Sequence, residues 1–156
     1  MNERPLLNPR CGSGVAFFHN GNRTEMRAAI RQVANGLPKD KSDEFPVEHI
    51  VNDGVYTRIM RIRKGSLLVG QIHLKSCVNI VASGDISLLT EFGAKRVKAG
   101  FTGVSPPGIM KVGYAHTDTV FINVFRTEEK DLERIEAEIA TKDFASLIEI
   151  ETEVLP

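Results

Sequence analysis

The chain has 156 residues, the size of one domain, with 42% hydrophobic and 26% charged residues, as in an ordinary globular protein. Lys plus Arg and Asp plus Glu both total 20, so the formal net charge is zero, which argues against a protein that binds duplex nucleic acid. No apolar run reaches the roughly 18 residues that span a bilayer, and residues 1–10 lack the apolar region of a signal peptide. We expect a cytoplasmic protein with no membrane partner.

The first 44 residues are predicted to lie outside the main β-structure. Residues 1–22 are rich in Gly and Asn around one short apolar patch, which predicts an N-terminal arm. Thr24 is a typical helix N-cap, apolar residues follow it at helical spacing, and Gly and Pro close the segment. These signals predict a helix over 24–35, so residues 23–44 are assigned to a helix and a charged loop.

The remainder of the chain, 45–156, has the period-two alternation of β-strands. Its short apolar runs are separated by Gly and Pro at intervals of about 8 to 12 residues, which predicts an all-β sandwich or barrel. Thr127 is predicted to cap a second helix over 128–140. A last alternating stretch, 147–154, predicts a closing strand, and the exposed edge of such a strand is suited to pairing with another subunit.

Glycine and proline residues in the middle of this region share their spacing with a known motif. Gly100, Pro106 and Gly108 follow the pattern Gly, five residues, Pro-x-Gly, two residues, His, three residues, Asn. Lys111 stands in the His position of that pattern and Ala115 in the Asn position. The segment therefore resembles the second motif of cupins, with two of its polar positions replaced.

An upstream segment resembles the first cupin motif, which has His-x-His followed after three or four residues by Glu. Here His73 is retained, Lys75 replaces the second His, and Asn79 replaces the Glu, with Gly84 following. The upstream glycine of the motif is displaced, since Gly65 lies two residues too early.

A wider stretch, from about residue 45 to 140, is similar to a family of small cupin-like proteins encoded by tailed bacteriophages. The segments that carry this resemblance are Phe45–His49, Gly84–Ile86, Val104–Gly108, Gly113–His116 and Asp131–Glu133. The resemblance implies a mainly β fold, a single double-stranded β-helix (a cupin-like jelly-roll barrel) with two short flanking helices. It also implies a viral context in an infected bacterial host, but no particular reaction, because many members have no assigned activity.

The replaced motif positions argue against a metal or any other cofactor. Metal-dependent cupins use three histidines and a glutamate, and only His73 remains of these four. Protonated Lys75 and Lys111 are not ordinary ligands and would repel a divalent cation, and Asn79 offers a neutral carbonyl in place of a carboxylate. We expect neither a metal site nor a cofactor.

The same replacements predict a ligand-binding site for an anion. If the cupin alignment holds, His73, Lys75, Asn79 and Lys111 converge near the barrel mouth, where Tyr114 adds a ring for stacking. Two lysines, an imidazole and an amide suit a phosphate, a carboxylate or a nucleotide. The alternative is that both lysines extend outward from their strands and bind nothing.

Other candidate residues are less specific. Alternation places Cys77 on the same face as Asn79, where nearby lysines would lower its pKa and activate the thiol. Arg58 and Arg61 on one strand, and Arg96 on another, either extend an anion site or form surface ion pairs of small energetic value. None of these residues is assigned a catalytic role.

Three functions remain open from the sequence. The first is a non-catalytic, cupin-like phage protein that binds a small anionic ligand and sequesters a nucleotide signal of host anti-phage immunity. The second is a metal-free isomerase or epimerase of a nucleotide sugar, with His73 and Tyr114 as base and acid. The third is a structural virion or decoration protein. In each case a homo-oligomer is the expected state.

Overall fold

The computed structural model describes residues 23–36 and 45–141, which form two helices and eleven β-strands. In chain order the elements are α1 (Arg23–Gly36), β1 (Val47–Asn52), β2 (Val55–Ile62), β3 (Leu67–Val69), β4 (Ile72–His73), β5 (Cys77–Ser83), β6 (Asp85–Thr90), β7 (Gly93–Lys98), β8 (Thr102–Ser105), β9 (Val112–Ala115), β10 (Thr119–Arg126), α2 (Leu132–Ile139) and β11 (Ala140–Thr141).

The strands form antiparallel sheets whose order differs from their order in the chain. A five-stranded sheet has the order β1-β2-β10-β5-β8, a four-stranded sheet has the order β3-β9-β6-β7, and β11 pairs with β4. Alternate residues of the two larger sheets meet in one apolar core. The residues of this core that are almost completely buried are Ile62, Val81 and Phe121 from the first sheet, and Ile86, Leu88, Val97 and Ala115 from the second. The predicted mainly β fold, a double-stranded β-helix with two short helices, is confirmed.

A second apolar cluster lies where α2 packs on the end of the five-stranded sheet. Ile135 and Ile139 are the buried residues of α2, and they pack with Tyr56, Cys77 and Phe125. The helix therefore covers the inward-facing residues at this end of the sheet. This cover helps to exclude water from the polar residues that lie one step further along the same strands.

The turn between β5 and β6 requires a glycine. Gly84 has φ +94°, a left-handed conformation that other residues rarely adopt, and a Cβ built there would lie 2.4 Å from the carbonyl oxygen of Asp118. This close approach allows the chain to pass from the five-stranded sheet to the four-stranded one within a single residue.

The two helices follow the sequence predictions to different degrees. Helix α1 lies over the predicted segment 24–35, whereas α2 begins at Leu132 and not at residue 128. The prediction that Thr127 caps α2 is wrong. Asp131 is the N-cap, and its side chain accepts a hydrogen bond from the backbone N–H of Arg134 at 3.1 Å.

The predicted N-terminal arm, residues 1–22, and the predicted closing strand, 147–154, lie outside the described residues, so the domain boundaries stay predictions. Within the two described ranges, neither helix has the length and apolar character needed to cross a membrane.

Candidate functional site

Polar side chains form a row across the inner face of the five-stranded sheet. Arg58 on β2 is in register with Asn123 on β10, Asn123 is in register with Asn79 on β5, and Asn79 is in register with Gly103 on β8. Because inward-facing positions recur at every second residue, four neighbouring strands contribute to one level of the interior. Asn79 and Asn123 are almost completely buried.

The two asparagines are fixed by hydrogen bonds to each other and to β8. Asn123 donates from Nδ2 to Oδ1 of Asn79 at 2.8 Å. Asn79 in turn donates from Nδ2 to Oγ of Ser105 at 2.9 Å and to the carbonyl oxygen of Gly103 at 3.3 Å. Buried amides with this many partners are rigid, so the row has a defined pattern of donors and acceptors.

His73 and Lys111 reach the same region from two connected segments. His73 lies on strand β4. Its backbone N–H donates to the carbonyl oxygen of Ile109 at 3.1 Å, and its carbonyl oxygen accepts from the N–H of Gly108 at 2.7 Å. Lys111 lies two residues after Ile109, and its carbonyl oxygen accepts from the N–H of Gly70 at 2.8 Å. These backbone bonds set the positions of both side chains.

Two groups approach the same imidazole nitrogen. Nζ of Lys111 lies 3.5 Å from Nδ1 of His73, and Sγ of Cys77 lies 3.3 Å from that atom. The ring of Phe125 packs edge-on against the imidazole, with ring centroids 5.2 Å apart. We name Arg58, His73, Cys77, Asn79, Ser105, Lys111 and Asn123 the interior cluster.

Burial governs protonation in the interior cluster. It lowers the pKa of His73 to about 2, with smaller contributions from the charges of Lys111 and Arg58, so the imidazole is neutral. Burial also lowers the pKa of Lys111 and raises the pKa of Cys77. The site therefore holds a neutral imidazole, a thiol and an amine whose protonated form is destabilised.

Among the described residues, the basic groups of the interior cluster have no acidic partner. Within the described part of the chain, neither Arg58 nor Lys111 forms an ion pair. Nε of Arg58 is a buried donor with no hydrogen-bond acceptor among these residues. Such a donor is rare in a folded protein and costs free energy.

Lys75 and Tyr114, two of the five predicted site residues, lie outside the interior cluster. Nζ of Lys75 bonds to the carboxylate of Glu138 and, at 3.4 Å, to the carbonyl oxygen of Arg126. Tyr114 is 43% exposed on the outer face of β9, where its ring packs edge-on against His116. The structure thus brings together His73, Asn79 and Lys111 but not these two.

The bend between β4 and β5 explains the position of Lys75. The prediction placed Lys75 in the site through the cupin alignment, but Leu74 and Lys75 form a bend, and strand alternation begins only at Cys77. Tyr114 follows the alternation of β9, whose neighbouring residues are buried, and so faces outward.

Arg58 was predicted only as a residue that either extends an anion site or forms a surface ion pair, and Asn123 was not predicted, although the sequence contains a signal for both. Each is a polar residue in an otherwise apolar inward-facing series: Arg58 lies between Tyr56 and Met60, and Asn123 lies between Phe121 and Phe125. A polar residue on a core face is more informative than one on a solvent face.

The donor set of the interior cluster does not fit a divalent metal. Nowhere in residues 23–36 and 45–141 do three or more His, Cys, Asp or Glu side chains converge as a metal site would require. Within the cluster only His73 and Cys77 are of ligand type, and Lys111 beside them adds a basic group.

An outer groove of about 630 Å³ lies between β10 and α2. It is lined by Lys75, Ser76, Arg126, Thr127, Glu128, Glu129 and Glu138. Glu138 bridges two of its walls, because Lys75 donates to one carboxylate oxygen and Thr127 donates to the other at 2.6 Å. The basic groups of this groove, unlike those inside the barrel, have acidic partners.

Comparisons with known proteins identify the fold. No family model matches the sequence, and a search of curated proteins found no match. Among solved structures, KdgF from Halomonas sp. aligns with TM-score 0.51 and 16% identity, over 64% of this chain and 93% of that chain. A cupin domain from Bordetella pertussis Tohama I aligns with TM-score 0.43 and 20% identity, over 53% of this chain and 93% of that chain.

An enzyme also appears among the similar structures. Salicylate 1,2-dioxygenase from Pseudaminobacter salicylatoxidans aligns with TM-score 0.49 and 15% identity, over 78% of this chain and 39% of that chain. At these identities the similarity to solved structures extends to the fold alone, which is cupin-like. The function must be argued from the site.

Proposed function

We propose that the protein binds a small anion, a phosphate or carboxylate group, inside the barrel between Arg58 and Lys111. The observation that carries this proposal is the buried Nε of Arg58, which has no acceptor among the described residues. Lys111, also buried, has no carboxylate partner there, and its nearest polar contact is the imidazole of His73. An anion supplies what both groups lack.

The energetic reason is the cost of burying basic groups without a counter-ion. A buried cation is strongly destabilised unless it is paired, and an unsatisfied buried donor costs about 1–3 kcal/mol. An anion with two or more oxygens accepts from the guanidinium and from the amine at once. The surrounding low dielectric strengthens both contacts relative to water.

Size limits the part of a ligand that this site can hold. Asn79, Lys111 and Asn123 are all less than one-tenth exposed, so a group that meets them is withdrawn from water, which favours a compact phosphate or carboxylate over a nucleoside. The finer hypothesis, sequestration of a nucleotide signal of anti-phage immunity by a phage protein, is supported only by the family resemblance. In that case the phosphate would enter the interior cluster and the nucleoside would lie outside it.

The structure separates the two residues that the enzymatic alternative requires. A nucleotide-sugar isomerase or epimerase would use His73 as base and Tyr114 as acid, but His73 faces the interior and Tyr114 faces the outer surface. No observation favours a virion role, and a homo-oligomer stays a prediction. We therefore propose binding without a catalytic residue as the basic function of the interior cluster.

The test is a thermal-shift screen of the metal-stripped protein against phosphate, sulfate, small carboxylates, nucleotides and nucleotide sugars. At 100 times Kd a ligand adds about 2.7 kcal/mol of stability, which raises Tm by about 5 °C or more. We expect an anion to produce this shift in the wild type and in Lys75→Met, and no shift in Lys111→Met or Arg58→Met. An equal shift in all four proteins, or none in the wild type, would overturn the proposal.

A further inference from the structure

We propose that Lys111 is a nucleophilic amine and that the ligand class is a small 2-oxo acid, held by its carboxylate at Arg58 and condensed with Lys111 as an imine. This inference rests on the anion site proposed above and names its substrate class. It adds a covalent step that simple anion binding does not require.

The first support is the surroundings of the amine. A lysine attacks a carbonyl only as the neutral amine, and a carboxylate neighbour would hold it in the charged form. Lys111 is 8% exposed, with no carboxylate partner in the described part of the chain, and burial lowers its pKa. Lys75 shows the contrast, because its ammonium bonds to Glu138.

The second support is the group that faces the amine. The imidazole of His73 is neutral, so its Nδ1, 3.5 Å from Nζ, can accept a hydrogen bond from Lys111 and orient the nitrogen lone pair away from the ring. An ammonium has no lone pair, and it gains less from a neutral acceptor than from a carboxylate. The contact therefore orients the amine without stabilising its protonated form as a carboxylate would.

The third support is the separate guanidinium in the same interior. Arg58 is in register with Asn123, which bonds to Asn79. Cys77 contacts both Asn79 and the imidazole nitrogen that Lys111 approaches, so Arg58 and Lys111 face the same interior. The guanidinium of an arginine recognises a carboxylate through directed N–H donors. A 2-oxo acid has its carbonyl carbon next to its carboxylate, which matches one fixed cation beside one nucleophilic amine.

The reaction balances without an oxidant, a reductant or a further reactant. The neutral Nζ forms a bond to the carbonyl carbon, and a proton moves from nitrogen to oxygen to give a carbinolamine. The C–O bond then breaks, the oxygen leaves as water with the second N–H proton, and a C=N bond remains. Hydrolysis of the imine reverses these steps, so the complex is reversible.

The test is reductive trapping of the full chain with pyruvate and cyanoborohydride, followed by intact mass and peptide mapping. We expect one reduced adduct on Lys111, formed at least ten times faster than on Lys75 or other lysines. Acetone, which has the carbonyl without the carboxylate, is expected to react at least ten times more slowly. Adducts spread over surface lysines, or equal rates with acetone and pyruvate, would overturn the imine.

Matched variants separate this inference from the anion site. Lys111→Arg removes the nucleophile and should lose trapping. Lys75→Arg, a matched change outside the interior cluster, should retain both the thermal shift with phosphate and the trapping at Lys111. If the wild type binds phosphate or pyruvate but is not trapped, the anion site stands and the imine is overturned. If the wild type shows neither a thermal shift nor trapping, both the anion site and the imine are overturned. These outcomes are read from the wild type and do not depend on whether any variant folds.

Discussion

The interior cluster and the outer groove each contain a lysine, and the two lysines differ in what surrounds the amine. In the groove, the side chain of Lys75 is 37% exposed and bonds to the carboxylate of Glu138, which Thr127 also holds. In the interior, Lys111 is 8% exposed and contacts a neutral imidazole. The fold pairs the amine of Lys75 with a carboxylate, and it gives Lys111 no carboxylate partner among the described residues.

This contrast shows how a β-barrel separates stability from binding. The groove residues satisfy one another at the surface, where such pairs contribute about 0–1 kcal/mol. The interior asparagines also satisfy one another. By contrast, Nε of Arg58 has no acceptor among the described residues, and Lys111 contacts a neutral imidazole. The local destabilisation of unpaired basic groups is typical of functional sites, where perturbed pKa values cluster.

The largest expected effect comes from breaking the interior asparagine network. Asn79→Ala removes the acceptor of Asn123 and the donor to Ser105, which leaves buried polar groups without partners. We expect the free energy of unfolding, measured by urea denaturation, to fall by about 3 kcal/mol. Thr102→Ala, an exposed position of β8, should change it by less than about 0.5 kcal/mol. Similar losses of unfolding free energy in both variants would show that the asparagine network does not contribute more stability than an exposed strand position.

Acid should destabilise the interior next most strongly, through His73. Its pKa in the folded protein is about 2, against an ordinary value of 6.5. Between these values the unfolded chain binds a proton that the folded protein does not, so stability is lost as the pH falls below 6.5. The slope is about 1.4 kcal/mol per pH unit.

The measurement is the unfolding free energy of wild type and His73→Gln from pH 7 to pH 4.5. The variant should lose about 2–3 kcal/mol less than the wild type over this range. Other groups, including Asp85 and Glu138, cancel in this difference, and His116→Gln at the outer surface is the control. Parallel curves for wild type and His73→Gln would show that His73 is protonated in the folded state.

Much of the fold could be predicted from the sequence, because strand alternation and turn glycines are local signals. The strands from β1 to β10 lie in the region where alternation predicted β-structure, and Gly84 is one of the glycines that separate them. Motif spacing also brought Lys111 to the region of His73, since both positions are fixed by backbone pairing between β4 and the segment before β9.

The rest of the site could not be predicted because it depends on tertiary structure. The bend before β5 rotates Lys75 out of the interior, and Ser76, the one residue there of a type common in turns, is not enough to predict it. The contribution of Arg58 and Asn123 depends on β10 lying between β2 and β5, strands that are distant in the chain. Alternation gives the face of each residue but not its neighbours across a sheet.

A smaller effect of opposite sign is expected from Lys111→Met. Methionine fills a similar volume without a charge, so the unfolding free energy should rise by about 1 kcal/mol at neutral pH. Because burial lowers the pKa of Lys111, the wild type gains stability as the pH rises towards 10.5. The difference in unfolding free energy between Lys111→Met and the wild type should therefore shrink at high pH. Chemical denaturation at two pH values measures both effects. Destabilisation of the variant at neutral pH would show that the charge of Lys111 is already balanced.

The smallest effect is expected at the surface lysine of the outer groove. Lys75→Met removes the contact with Glu138, but both side chains are about one-third exposed, so water and Thr127 replace the lost partner. We expect the unfolding free energy to change by less than about 0.5 kcal/mol, and we expect added salt to reduce the difference further. Glu138→Gln is the matched change on the other side of the pair. A loss of about 2 kcal/mol or more in Lys75→Met would mean that the pair behaves as a buried one, and the distinction between a satisfied groove and an unsatisfied interior would then fail.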